Sequence, residues 1–151
     1  MPRFAANLSM MFTERPFLER FDAAAEAGFD AVEFLFPYDF APEDVGDRLR
    51  RNGLTQALFN LPPGDWNAGE RGFAARPACF AQVQQGVRTA LPYAAATGVK
   101  RLHLMAGIAD RRDAQAATAF RRSVAWVAEE LGRHGIDTVI EPINPRAVPG
   151  Y

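Results

Sequence analysis

The stretch Ala31-Val-Glu-Phe-Leu-Phe36 decides the fold of this chain. Its side chains are almost continuously apolar, which is typical of a strand in a parallel sheet that is covered on both faces. Glu33 is the exception, and this mid-strand carboxylate could orient another polar group or form a salt bridge. The stretch therefore predicts an α/β protein built on a parallel sheet.

Strand and helix patterns alternate on both sides of this stretch. Four further strands are predicted from apolar runs: 3–10, 55–61, 100–105 and 138–144. Four helices are predicted from apolar stripes and from the residues at their ends, with Thr13 as the N-cap of the first: 13–28, 42–53, 77–98 and 112–133. Because crossovers of more than about a dozen residues join the strands, they must pair in parallel with right-handed connections.

Five strands and four helices suit two architectures. One is an open doubly wound sheet, and the other is the first part of an eight-stranded barrel, which needs about 250 residues when complete. The chain has 151 residues. No Gly-x-Gly-x-x-Gly follows the first strand and no phosphate-binding loop motif occurs, so a nucleotide-binding form of the open sheet is not supported.

The composition excludes several classes of function. With 48% apolar and 23% charged residues the chain is typical of soluble globular proteins. A net charge of −1 and scattered arginines give no footprint for nucleic acid or for an anionic membrane surface. No apolar run approaches the roughly 18 residues of a membrane span, and the single cysteine, Cys79, fits a reducing compartment. We therefore expect a cytoplasmic protein with a small-molecule or protein partner.

The last predicted strand, Thr138-Val-Ile-Glu-Pro-Ile-Asn144, supplies the first candidate for chemistry. It reads as a buried β-branched strand that carries the carboxylate of Glu141 and the carboxamide of Asn144 at its C-terminal end. Ligands bind at the C-terminal ends of parallel strands, so Glu141 is a candidate catalytic residue. The alternative is a buried carboxylate paired with an arginine. The long loop 62–76 is a second candidate region, because long ordered loops tend to be functional.

Six stretches resemble the hydroxypyruvate isomerase family, part of the xylose-isomerase-like group of TIM barrels. They are ANLSMMF (6–12), GFDAVEFLFPYD (28–39), FNLPPGDW (59–66), GERG (69–72), HLMAG (103–107) and EPIN (141–144). The Asp-Trp and Gly-Glu-Arg-Gly elements are peculiar to these isomerases and to their oxo-tetronate isomerase relatives. The resemblance implies a partial (β/α)8 TIM barrel, with residues 1–151 as a single domain that is apparently truncated after strand five.

The resemblance also implies an activity. Members of the family interconvert hydroxypyruvate and tartronate semialdehyde through an enediolate, in glyoxylate metabolism. Glu141 is then implied as one of two catalytic carboxylates and as a ligand of a divalent metal, Mg²⁺ or Mn²⁺, which stabilises the enediolate oxygen. The second carboxylate and the remaining metal ligands lie outside this chain, so the metal site is incomplete. A related 2-oxo-tetronate or sugar-acid isomerase is an alternative.

Four further residues are candidates for binding a small hydroxy-oxo acid substrate: His103, Arg71, Asn60 and Asn144. His103 shares a face of its strand with Arg101, and its alternative role is that of a satisfied core histidine. Arg71 could clamp a carboxylate with its bidentate guanidinium, or form a surface ion pair with Glu70 or Asp65. Asparagine is also common at strand exits for turn reasons alone.

A second hypothesis follows from the chain length. A half-barrel leaves its first and last strands as unpaired apolar edges, and such edges seek partners. The chain would then be catalytically silent until a complementary fragment or partner chain completes the site. We expect self-association through these strand edges.

Overall fold

The computed structural model describes residues 2–110, 112–144, 146, 148 and 149. Five strands form one sheet in chain order: β1 (Ala6–Asn7), β2 (Ala31–Phe34), β3 (Thr55–Asn60), β4 (Arg101–His103) and β5 (Asp137–Val139). Four α-helices alternate with them: α1 (Arg20–Glu26), α2 (Pro42–Asn52), α3 (Phe80–Thr97) and α4 (Ala114–Gly132). Short 3-10 helices, Phe17–Glu19 and Pro77–Cys79, precede α1 and α3. The predicted α/β alternation of five strands and four helices is confirmed.

The chain divides into two compact units. The first extends to Phe59 and includes Leu91–Arg101, and its core is aromatic. Phe34 of β2 is 1% exposed, and its ring packs edge-on against Phe21 of α1 and stacks with Phe59 of β3. Burial of each such ring stabilises the fold by about 1.5–3 kcal/mol. The second unit comprises Asn60–Ala90 and the chain from Leu102 onward.

Parallel pairing in the first unit fixes the environment of Glu33. β1 pairs with β2 in the register Ala6↔Val32 and Asn7↔Glu33. The side-chain amide of Asn7 donates a hydrogen bond of 3.1 Å to the Glu33 carboxylate. Among the described residues Glu33 forms no salt bridge, so it holds a neighbouring polar side chain instead.

Helix α2 begins and ends where the sequence predicts. Pro42 occupies its first turn, where the missing N–H costs no hydrogen bond, and Glu43 and Asp44 complement the positive end of the helix. Gly53 ends it in the left-handed conformation, with φ 64°. None of the described helices is both long enough and apolar enough to cross a membrane.

The first strand and the first helix are shorter than predicted. β1 covers only Ala6–Asn7, because the chain turns there: the Ser9 amide donates to the Asn7 side-chain oxygen at 3.0 Å. Phe12 has φ 58°, which continues the turn. Thr13 is not the helix N-cap, since the helical segment starts after Pro16 with a 3-10 turn.

The prediction of a buried strand over 138–144 is wrong. β5 ends at Val139, whose carbonyl accepts a hydrogen bond from the Leu104 amide at 2.9 Å. Ile140 is 54% exposed, because β5 is the last strand in the sheet order and has one strand neighbour. Pro142 follows without an N–H to offer, so the ladder does not continue.

Gly46 offers a test of how closely helix α2 packs against Ala96 of helix α3. A Cβ atom at this position would lie 2.6 Å from the carbonyl oxygen of Ala96. We predict that Gly46→Ala lowers the free energy of unfolding by about 1–3 kcal/mol, measured by urea denaturation.

Gly132→Ala is the matched control, because no atom lies within 4 Å of the added Cβ at the end of α4. It should change stability by less than about 1 kcal/mol, in the stabilising direction. Equal effects of the two substitutions would contradict the described contact between α2 and Ala96.

Candidate active site

Three of the predicted site residues lie at the carboxyl ends of strands in the second unit. Asn60 is the last residue of β3, His103 is the last residue of β4, and Glu141 comes two residues after the end of β5. The carboxyl ends of parallel strands lie along one edge of a sheet, which is where α/β proteins bind ligands. The fold therefore gathers these three side chains in the way that the sequence predicts.

His103 and Asn60 form a buried, hydrogen-bonded pair. The Nδ1 atom of His103 lies 3.1 Å from the Oδ1 atom of Asn60. His103 is 5% exposed and Asn60 is 3% exposed. The Asn60 amide nitrogen donates towards the sulfur of Met105 at 3.9 Å, and the Leu61 amide donates to the His103 carbonyl at 2.9 Å. Both side chains are therefore held by their neighbours.

The environment of His103 keeps its imidazole neutral. Burial lowers the pKa of His103 below its ordinary value, and the negative charge of Glu141 partly opposes this effect. The Nε2 atom is buried and has no hydrogen-bond partner among the described residues. Buried polar atoms nearly always have a partner, so Nε2 at the ligand-binding edge of the sheet can take a hydrogen bond from a water or from a bound molecule.

Glu141 has a different environment. The residue is exposed and forms no ion pair with an arginine among the described residues, so the alternative of a buried, arginine-paired carboxylate is wrong. Its charge nevertheless acts on the buried imidazole of His103. An accessible carboxylate beside a neutral imidazole can take up and return a proton.

The described residues do not fit a divalent metal by themselves. No group of three or more His, Cys, Asp or Glu side chains in that part of the chain is placed to hold a metal ion. Glu141 is one oxygen donor, whereas Mg²⁺ requires near-octahedral coordination. The expected metal, Mg²⁺ or Mn²⁺ in a site that is incomplete within the chain, stays a prediction, and we derive no chemical step through a metal.

Asn144 takes part in a turn. Its side-chain oxygen accepts a hydrogen bond from the Arg146 amide at 2.9 Å, and its carbonyl accepts one from the Val148 amide at 3.1 Å. This is the turn role that asparagine often has at strand exits. No hydrogen bond joins Asn144 to His103 or Glu141 in the described part of the chain, so its role in substrate binding stays a prediction.

Arg71 lies on Trp66 in the long loop. The guanidinium carbon is 3.6 Å from the centre of the Trp66 ring, and Nη1 donates to the backbone carbonyls of Trp66 and Glu70 at 2.9 and 2.8 Å. The predicted alternative of an ion pair between Arg71 and Glu70 or Asp65 is wrong. The Glu70 carboxylate instead accepts from the Asp65 amide and pairs with Arg76 at 2.8 Å, and these two contacts lower its pKa.

Glycines bring this loop against the end of β4, a contact that the sequence predictions missed. Gly72 has φ 102°, and a Cβ there would collide with the backbone of Met105. Gly72 also forms an isolated antiparallel bridge with Ala106, and a Cβ at Gly107 would collide with the Gly72 carbonyl. The glycine pairs in Gly-Glu-Arg-Gly and Ala-Gly were the available signal, since glycine marks close backbone approach.

A cavity of about 670 Å³ lies in the first unit, at the amino ends of strands. Its lining includes Arg3, Asp30, Gln56 and Lys100. The side-chain oxygen of Gln56 is buried there without a hydrogen-bond partner among the described residues. Barrel proteins place their chemistry at the carboxyl ends of strands, so this cavity is not the candidate active site.

Comparisons with known proteins identify the family that the chain resembles. Residues 21–151 match the family model described as a xylose isomerase-like TIM barrel. The chain is 52% identical to a 2-oxo-tetronate isomerase of Cupriavidus necator and 42% identical to a hydroxypyruvate isomerase of Escherichia coli. It is 51% identical, with a TM-score of 0.96, to a crystal structure described as an AP endonuclease of family 2 from Brucella melitensis. In each match the whole chain covers 59% of the other protein.

The buried imidazole makes stability depend on pH. Because the pKa of His103 is lowered in the folded state, the unfolded chain binds a proton near pH 6.5 that the folded chain resists. The contribution of His103 to the free energy of unfolding is therefore fully present above about pH 6.5, and it is lost as the pH falls below this value. We predict that the urea midpoint falls between pH 7.5 and pH 5.5, and that His103→Gln reduces this fall.

The exposed His134 supplies the control, since the chain has 2 histidines. His134→Gln should retain the pH dependence of the parent protein. A fall in midpoint that survives His103→Gln unchanged would show that another group is responsible.

Proposed function

The chain belongs to the xylose isomerase-like TIM barrel family, and from this membership we propose that it takes part in the isomerisation of a small hydroxy-oxo acid. The reaction proposed first interconverts hydroxypyruvate and tartronate semialdehyde. The observation that carries the proposal is the placement of the exposed Glu141 beside the buried Asn60–His103 pair at the carboxyl ends of the strands.

Glu141 is proposed as the acid/base group. Its carboxylate removes a proton from C3 of hydroxypyruvate, and the electron pair forms the C2–C3 double bond of an enediolate. The same proton then returns to C2, while the hydroxyl proton of C3 moves to the oxygen on C2, which leaves an aldehyde at C3. Atoms and electrons balance without an oxidant or a reductant, and the second catalytic carboxylate that the family resemblance implies would share the proton transfers with Glu141.

Arg71 is proposed to bind the substrate carboxylate. Nη1 is engaged by two backbone carbonyls, and the ring of Trp66 supports one face of the guanidinium. Nε and Nη2 form no hydrogen bonds among the described residues, so these donors are available to a planar carboxylate. Asn60, His103 and Asn144 are proposed as the remaining polar contacts.

A 2-oxo-tetronate is the second candidate substrate. The observation that supports it is the identity of 52% to the Cupriavidus necator 2-oxo-tetronate isomerase, which is higher than the 42% to the Escherichia coli hydroxypyruvate isomerase. Both compounds carry a hydroxyl on the carbon next to a 2-oxo acid, so the same proton transfer applies to both. The Brucella melitensis structure is described as an AP endonuclease, but the net charge of −1 of this chain gives no support to a role on DNA.

Dependence on Mg²⁺ or Mn²⁺ is also part of the proposal, with Glu141 as one ligand. When bound, such a hard cation would stabilise the negative charge that develops on the substrate oxygen. The described residues supply too few ligands for it. Any metal site would therefore need groups outside them.

The alternative proposal is a chain that is catalytically silent until it is complemented. The chain spans 59% of the length of the Cupriavidus necator and Escherichia coli relatives. β1 and β5 each have one strand neighbour, and Phe4 and Ile140 beside them are 73% and 54% exposed. Unpaired strand edges with apolar neighbours favour association between copies of the chain.

The catalytic proposal predicts that Glu141→Gln lowers turnover of hydroxypyruvate and of 2-oxo-tetronate by about 10²–10⁴-fold. Each substrate is assayed with added Mn²⁺, first with the chain alone and then with the part of the Cupriavidus necator relative that the chain does not cover. Glu14→Gln, at an exposed loop carboxylate, is the control and should keep full activity. Activity that appears only when the Cupriavidus necator part is added supports the silent half-barrel. Equal activity of Glu141→Gln and Glu14→Gln would contradict the role of Glu141.

The association proposal predicts that sedimentation velocity detects dimers or larger species at micromolar concentrations. Ile140→Lys should shift the protein towards monomer, because a charge beside β5 opposes edge pairing. Ile108→Lys is the matched control, since Ile108 is 44% exposed but lies outside the strands. A parent protein that remains monomeric throughout would refute association.

A further inference from the structure

Met105 is one of the contacts that orient the Asn60 amide. The thioether sulfur of Met105 has no hydrogen to donate, and it lies 3.9 Å from the amide nitrogen of Asn60. The reverse orientation would place the Asn60 oxygen against this sulfur, with no donor between them. The contact with Met105 therefore favours the orientation in which the Asn60 oxygen faces His103.

This orientation determines which nitrogen of His103 carries the proton. The Asn60 oxygen only accepts hydrogen bonds, and it lies 3.1 Å from Nδ1 of His103. Nδ1 must therefore be the protonated nitrogen. A neutral imidazole has a single N–H, so Nε2 presents a lone pair, and that atom is buried without a partner among the described residues.

Met105 is itself held by the long loop. The Gly72 backbone packs so closely on Met105 that a Cβ at Gly72 would collide with it. The Ala74 amide donates to the Met105 carbonyl at 3.4 Å, and the Ala75 amide donates to the Ala106 carbonyl at 2.7 Å. The loop thus holds the backbone from which the Met105 side chain reaches Asn60.

The chemistry of the proposed substrate class supplies the missing donor. At neutral pH a hydroxy-oxo acid has acceptors on its carboxylate and on its carbonyl, and its hydroxyl is the group that can donate. A buried acceptor discriminates strongly against a molecule that lacks the matching donor, because the acceptor is then left unpaired.

We propose that Asn60 is a positioning residue which holds His103 as the Nδ1–H tautomer, so that Nε2 accepts a hydrogen bond from the substrate hydroxyl. The second part rests on the proposed function and deepens it. His103 becomes the residue that selects 2-oxo acids with an adjacent hydroxyl, and the positioning role of Asn60 is exerted through His103.

Nitrogen-15 NMR of histidine-labelled protein tests the tautomer directly. At pH 7.5 we expect His103 to show a protonated Nδ1 and an unprotonated Nε2, with the exposed His134 as an internal reference. Asn60→Leu should abolish this single-tautomer pattern, and Asn60→Asp should retain it because a carboxylate oxygen also accepts. A proton on Nε2 of His103 in the parent protein would overturn the proposal.

Met105→Leu is a second variant for the case in which Asn60→Leu does not fold. Leucine nearly preserves the volume of the methionine side chain and removes its sulfur. It should reduce the Nδ1–H population of His103 while the urea midpoint stays close to that of the parent protein. An unchanged tautomer in Met105→Leu would overturn the role of Met105 in orienting Asn60.

The hydroxyl is tested with two ligands in the same spectra. Hydroxypyruvate should shift the Nε2 resonance of His103, whereas pyruvate, which lacks the hydroxyl, should leave it unmoved. A Nε2 resonance that hydroxypyruvate does not shift would overturn the contact with the hydroxyl, even with the tautomer as proposed. Failure of the proposed isomerase function is distinguishable, because it abolishes turnover without altering the tautomer of the unliganded protein.

Discussion

Parallel strand pairing is the constraint on which this structure depends. Parallel strands cannot be joined by tight hairpins, so each pair requires a long crossover, and the helices of this chain serve that purpose. The same geometry aligns the carboxyl ends of the strands along one edge. Asn60 and His103, 43 positions apart in sequence, are thereby close enough to form a hydrogen bond. The polar site is thus a consequence of the sheet.

Close backbone contact turns the long loop into part of that site. Gly72 lacks a side chain, so its backbone can pack on Met105, and Met105 in turn contacts Asn60. Successive contacts therefore connect Gly72 in the loop, through Met105 and Asn60, with the Nδ1 atom of His103. This explains why a Gly-Glu-Arg-Gly segment, whose charges pair mainly within the loop, can influence a group on a neighbouring strand.

The sequence predicted the features that local chemistry determines. Helix α2 was predicted correctly because Pro42 and Gly53 fix its two ends through their own backbone preferences. Asn60 was correctly expected at the end of a strand, because an apolar run ends beside it, whereas His103 was expected inside a strand over 100–105 and is the last residue of β4. Glu141 was expected at the end of a buried strand over 138–144, whereas it lies two residues beyond β5 and is exposed.

The remaining features depend on neighbours that are distant in sequence. The last strand ends at Val139, and among the described residues it has one neighbouring strand, which its β-branched composition does not reveal. Arg71 stacks on Trp66 while Arg76 takes the Glu70 carboxylate, a choice among similar charges that only the folded loop determines. The Asn60–His103 bond likewise required the sheet register. Backbone amide NMR with added hydroxypyruvate most directly tests the central claim that ligands bind at the carboxyl ends of the strands. We expect chemical-shift changes concentrated at Leu61, Leu104 and Glu141. Changes confined to Asp30, Thr55 and Gly98 at the amino ends of the strands would contradict ligand binding at the carboxyl ends.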